Sequence, residues 1–267
     1  MKANSTLNRT TKPDPLAAAL ALPLQGRGTR DGEPTANRLL GALDEPTYQR
    51  WLPQLEAVDM PLGMVLWESG QSLQHAYFPT TSIVALMYGL EDGHTSAVAL
   101  VGNDGMVGIS MFMGGGSSWG QKVVISAGRG FRLRAATLKS DFDLGGAAAR
   151  LLLRYVQATM TQLAQVVVCN RHHCLDHRLC RLLLSTLDRL NGDREFRMTQ
   201  ELMANALGVR REGVTEAALN LQRAGLIHYE RGRMRVLDRA GLECRTCECY
   251  AVVRREYERL LPCSSVQ

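Results

Sequence analysis

The hydrophobic period of the chain changes once, near Asp141, and that change limits the folds open to it. On the C-terminal side, Asp143–Asn170 holds no proline, and apolar residues recur at Ala148, Leu152, Val156, Met160, Leu163 and Val167. That is the spacing of one helix face. A second row, Leu151, Tyr155, Ala158 and Val166, lies beside it. A helix apolar on two faces must be covered twice, once by its own domain and once by something else. The pattern predicts a long helix over residues 143–171, set between two domains and suited to pairing with its own copy.

On the N-terminal side the texture is β. The runs "GMVLWESG", "HAYFPTTSIVALMYGL", "HTSAVALVG", "QKVVISAG" and "GFRLRAATL" are short, and rich in β-branched residues or alternating. Gly, Asp, Asn and Ser separate them at steps of roughly ten residues. The expectation is an antiparallel, jelly-roll-like β-roll over residues 36–142, with Pro79 at a strand edge or corner. The overall class is α+β. Hydrophobic residues make up 45% of the 267 and charged ones 21%, enough to bury two cores. No apolar run reaches the ~18 residues that span a bilayer, so no membrane partner is expected. The start imitates a secretion signal, but Lys12, Pro13, Asp14 and Pro15 interrupt it and Pro23 cuts the apolar part short. Residues 1–35 read as a flexible tail.

A second helix is expected over His173–Leu190, stopped by Asn191–Asp193. Then comes "MTQELMANALGVRREGVTEAALNLQRAGLI". Thr199 can cap a helix whose first turn carries Glu201, and Gly208 permits a tight turn. The next helix, Arg211–Ala224, buries Val214, Ala218 and Leu221 and ends at Gly225. Its other face carries Arg210, Arg211, Glu212, Thr215, Glu216 and Arg223. "LIHYERGRMRVLD" reads as a hairpin with Arg231, Arg233 and Arg235 around its tip. Helix, turn, helix, basic hairpin is the order of a winged helix-turn-helix, expected over residues 172–243. Such a helix fits the major groove, where Arg211 can donate twice to guanine, Glu212 can accept from a cytosine amine, and Thr215 can touch a thymine methyl. Thr199, Arg210, Glu216 and Arg223 complete the candidate DNA-contacting set, and the wing residues Arg231 and Arg233 would meet phosphates. Residues 244–267 read as one more helix and a tail, docked on the winged domain. The formal net charge of +5, almost all from arginine, suits an anionic partner.

The chain resembles the Crp/Fnr family of bacterial transcription regulators from about Asn37 to Leu261. The likeness is strongest in "MTQELMANALGVRREGVTEAALNLQRAGLIHYERGRMRVLDRAGLE" and extends to "NRHHCLDHRLCRLLLSTLDRL". The resemblance implies a cytoplasmic homodimer that binds double-stranded DNA, works with RNA polymerase and senses a small molecule in its β-roll. It matches Arg211 and Glu212 to the family's base-reading pair. Arg210 stands where a Ser cap is usual, and Glu216 stands where cyclic-nucleotide-responsive members carry a second base-contacting arginine. Those members also hold the nucleotide with a Gly-Glu step and an Arg-Ser pair. Here Ile109 takes roughly the glutamate's place, and no arginine accompanies Ser117 and Ser118. Cyclic AMP is therefore not the expected effector. Gly114, Gly115, Gly116, Ser117 and Ser118 remain weak candidates for another anion, though a plain connecting loop is the simpler reading.

No cofactor is expected. Relatives that hold an iron–sulfur cluster do so on N-terminal cysteines, and this chain has none before Cys169. Haem would need axial ligands, for which the β half supplies only His75 and His94. The seven cysteines are odd in number and read as reduced thiols. "HHCLDHRLC", with His173 and His177, and "CRTCECY", with Cys244, Cys247 and Cys249, lack a second Cys-x-x-Cys pair, so no metal site is expected. No nucleophile–base set points to an enzyme. The alternative to a DNA-binding regulator is a module whose winged helix contacts protein.

Overall fold

The computed structural model describes residues 32–91, 95–117, 119–190 and 195–261. Most of the expected tail, His94, Ser118 and the Asn191–Asp193 stop lie outside the described residues. Two short helices, α1 (Arg38–Gly41) and α2 (Glu45–Trp51), lead into β1 (Glu56–Met60), β2 (Val65–Trp67) and β3 (His75–Pro79). Then follow β4 (Ile83–Gly89), β5 (Thr95–Val101), β6 (Gln121–Ser126) and β7 (Gly128–Arg134). These strands make two antiparallel sheets, ordered β1-β7-β3 and β2-β6-β4-β5. The α+β class and the antiparallel roll are as expected. Pro79 closes the edge strand β3 opposite Gly130, a position where a missing N–H is tolerated.

The run "GFRLRAATL" does not stay extended to Leu138. β7 ends at Arg134, and the alanines open α3 (Ala135–Asp143), consistent with the high helix propensity of Ala. The long helix follows as α4 (Gly146–His172), 27 residues, or about 40 Å at the helical rise. After it come α5 (Leu175–Leu187), β8 (Glu195–Arg197), α6 (Gln200–Leu207) and α7 (Arg211–Arg223). The chain continues through β9 (Ile227–Glu230), β10 (Arg233–Val236), α8 (Arg239–Arg245) and α9 (Glu248–Leu260). Among the described residues, no helix is long and apolar enough to cross a membrane.

Two cores share one sheet. The continuous apolar run of β4 explains how, because a strand covered on both faces needs no polar alternation. Val84, Val101 and Val124 face the first core, with Trp51, Phe78, Leu133, Leu152 and Tyr155. Ile83, Ala85, Leu100 and Ile125 face the second, with Leu179, Leu183, Met203, Val214 and Leu221. The second core therefore crosses from the roll into the winged unit, where the sequence suggested one core on each side.

The long helix divides its faces differently from the expected rows. Leu151, Leu152, Tyr155, Val156 and Ala158 are buried in the first core. Met160 and Val167, placed by the sequence in the same row as Leu152, instead stand out with Leu153 at 63%, 68% and 53% exposed respectively. The three lie seven residues apart. One correction concerns α9. It lies along α4 rather than on the winged unit alone, with Tyr257 edge-on to Tyr155 at 6.4 Å and Leu260 and Leu261 in the first core. Only its start, through Tyr250, reaches the second core.

Candidate nucleic-acid interface

Local chemistry sets α6 and α7. The Thr199 hydroxyl oxygen accepts from the Leu202 N–H at 3.1 Å and caps α6, satisfying an otherwise orphan donor. Thr199 is thus occupied as a cap rather than left as a free contact. Gly208 ends α6 at φ 62°, the left-handed conformation that glycine adopts most readily. A side chain there would also stand 3.0 Å from Ser96 Oγ of β5, against which the turn rests. The Arg178 guanidinium donates to the last α6 carbonyl, on Leu207. Arg210 then sits in extended backbone before α7 and makes no side-chain cap bond, as its identity foreshadowed.

α7 buries Val214, Ala217, Ala218 and Leu221, mostly short side chains that let it sit close to α5 and α6. Arg210, Arg211, Glu212, Glu216 and Arg223 are exposed along its outer side. Thr215 is half-buried, and its hydroxyl donates to the Arg211 carbonyl at 3.0 Å. Its polar end is therefore engaged within the helix. Arg211 Nε donates to Gln200 Oε1 at 3.3 Å, which ties the start of α7 to the start of α6. The charged face of α7 opens on solvent at its N-terminal turn, the part of such a helix that can reach base edges.

The wing is a three-stranded antiparallel sheet, β8-β10-β9. Its tip is Arg231–Gly232, both at positive φ (49° and 78°), as a two-residue hairpin turn favours. Gln222 accepts from the Tyr229 N–H at 2.8 Å and anchors the wing to α7. The basic character is less uniform than the sequence suggests. Arg235 holds Glu195 with two bonds of 3.0 and 2.6 Å, and Arg233 approaches the same carboxylate at 3.7 Å. The Arg235 hydrogen bond holds the Glu195 carboxyl below its ordinary range. Arg231, 91% exposed at the tip, is the most accessible cation of the three.

The suggested effector loop lies on the surface. Gly114, Gly115, Gly116 and Ser117 are exposed, and the Ser117 N–H donates to the Gly115 carbonyl at 2.7 Å. Ser118 lies outside the described residues. Ile109 opens a single 3₁₀ turn, Ile109–Met111, beneath which Met111 is buried. A cavity of about 170 Å³ opens elsewhere, beside Arg38, Asp104, Arg189 and Tyr257. In the second half, Cys169, His173, Cys247 and Cys249 converge, whereas Cys174 and Cys244 are exposed. The sequence did not join Cys169 to this group because it lies on the long helix, 78 residues before Cys247.

The order α5, α6, turn, α7, wing is matched by a family description: residues 177–245 fit the Crp-like helix-turn-helix domain. The chain carries a Crp-like helix-turn-helix domain. Its overall fold is similar to that of a Crp/Fnr-family transcriptional regulator from Eubacterium rectale, at 17% identity and TM-score 0.61, over 79% of this chain and 98% of that one. FixK2 from Bradyrhizobium japonicum is similar at 15% identity and TM-score 0.63, over 72% and 98%. So is the c-di-GMP-responsive regulator CLP from Xanthomonas campestris, at 16% and 0.57, over 72% and 99%. No curated protein matches the chain by sequence. At these identities the structural likeness carries the fold, and the Crp-like domain match carries the winged unit. Together they bear out the resemblance drawn from the sequence.

Proposed function

We propose that the chain is a homodimeric, sequence-specific DNA-binding transcription regulator of the Crp/Fnr type, acting in the cytoplasm with RNA polymerase. The observation that carries this reading is the solvent-facing N-terminal turn of α7, where Arg211 and Glu212 stand free of the core on a Crp-like domain. Arg211 would take a guanine and Glu212 a cytosine amine, while Arg231 at the wing tip would meet a phosphate. Glu216, a carboxylate on the same face, argues for an operator unlike that of the cyclic-nucleotide-responsive members. The exposed row on α4 supports the dimer. A small-molecule effector other than cyclic AMP is the reading for the roll, since the Ile109 turn carries no charge for a ribose and the Gly114–Ser117 loop no arginine for a phosphate.

A fluorescence-anisotropy titration against genomically selected DNA and against random duplexes tests this. Arg211→Ala should cost about 1–3 kcal/mol on the selected site and little on random DNA. Arg231→Ala should weaken both alike and lower the salt slope by about one. Cyclic AMP should move none of these curves. If the unaltered protein binds neither DNA at low salt, the winged unit serves a protein partner instead.

A further inference from the structure

Four side chains meet between the end of α4 and the start of α9, away from the DNA-reading surface and independent of it. Their ligand atoms, the sulfurs of Cys169, Cys247 and Cys249 and a ring nitrogen of His173, all lie within 4.8 Å of one another. Cys169 Sγ and Cys247 Sγ are 3.5 Å apart, and Cys249 Sγ is 3.6 Å from His173 Nδ1. A tetrahedral zinc with ordinary bond lengths places sulfurs about 3.8 Å from each other and about 3.6 Å from a ligating nitrogen. The three cysteines are buried together as a cluster of their own.

The surroundings fit a cation held by thiolates. His173 Nε2 faces the Glu248 carboxylate at 3.4 Å. A proton kept on Nε2 leaves the Nδ1 lone pair for a metal, the usual carboxylate–histidine–zinc arrangement. Cys247 is the N-cap of the 13-residue α9, and Cys249 lies in its first turn, where the helix dipole favours negative charge. Arg181 acts electrostatically on Cys169, and its Nε is buried without a hydrogen-bond partner. Three thiolates around a divalent ion leave one negative charge, which that guanidinium can balance.

We propose that Cys169, His173, Cys247 and Cys249 form a closed structural zinc site that staples α9 to the end of the long helix. The donors are soft, four in number and leave no open position, which selects zinc and a structural role over a catalytic one. This reverses the expectation of no metal. That expectation considered the Cys244-x-x-Cys247 spacing, whereas the structure pairs Cys247 with Cys249 and recruits two ligands from the far end of α4.

Metal analysis of the full-length protein, purified without chelator, should find about one zinc per chain. Cys249→Ser should lose most of it, whereas Cys174→Ser and Cys244→Ser, altered at exposed cysteines, should keep it. To keep the test independent of the folding of Cys249→Ser, cobalt is added to the metal-stripped, unaltered protein as a second measurement. It should give the visible d–d and thiolate charge-transfer bands of a tetrahedral site. Absence of zinc together with absence of those bands overturns the proposal. So does a Cys169–Cys247 disulfide found by mass spectrometry in protein purified without oxygen.

Discussion

Arg189 shows how one side chain joins the roll to the winged unit. It follows α5, pairs with Asp104 at 2.9 Å and donates to Gln162 Oε1 of α4 at 2.9 Å. Its guanidinium also lies 5.8 Å from the Tyr257 ring of α9. The side chains of the ion pair are only 6% and 13% exposed. The loop after β5 is shaped around these neighbours. A Cβ on Gly102 would stand 2.5 Å from Arg189 Cβ, and one on Gly105 would stand 2.3 Å from the Tyr155 ring. Arg189→Ala leaves the largely buried Asp104 carboxylate without its ion-pair partner and should destabilise the protein by about 3 kcal/mol in chemical unfolding. A loss below about 1 kcal/mol would mean the pair behaves as a surface ion pair. None of this was legible in the sequence, because Asp104 and Arg189 are remote in the chain. Thr199 and Gly208 were legible, because a helix cap and a left-handed turn are set by neighbours within a few residues.

At the scale of elements, α4 carries two different faces. Leu152, Tyr155 and Val156 close the first core, while Leu153, Met160 and Val167 repeat at a seven-residue spacing toward solvent. That is the repeat of a coiled-coil seam, in which each apolar residue fits between those of a partner helix. The sequence disclosed a helix that needs covering on two sides. It did not separate the rows correctly, because hydrophobicity alone cannot tell which of two adjacent apolar faces meets the roll. The double substitution Leu153→Glu with Met160→Glu should turn a sedimenting dimer into a monomer without loss of helical circular dichroism. Operator affinity should fall by at least about tenfold, as the second half-site contact is lost. A dimer that survives both substitutions would place the interface elsewhere. The docking of α9 on α4 was likewise hidden, since its apolar positions fit a cover for either neighbour.

Over the whole molecule, the sheet β2-β6-β4-β5 lies between the two cores, so the roll and the winged unit meet through packed side chains rather than a loose linker. The Gly208 turn, Arg189 and α9 lie along that junction. The class, the order of parts and α7 were all legible from periodicity and turn chemistry. The shared core was not, because it depends on both faces of one sheet being used at once. The account rests on two copies of α7 reading two facing half-sites. Hydroxyl-radical footprinting on DNA enriched from the genome tests it directly. The account predicts a two-fold symmetric footprint, with half-site centres separated by about one helical turn, 10–10.5 base pairs, or a multiple of it. A single unpaired half-site, or no protection at low salt, would contradict it.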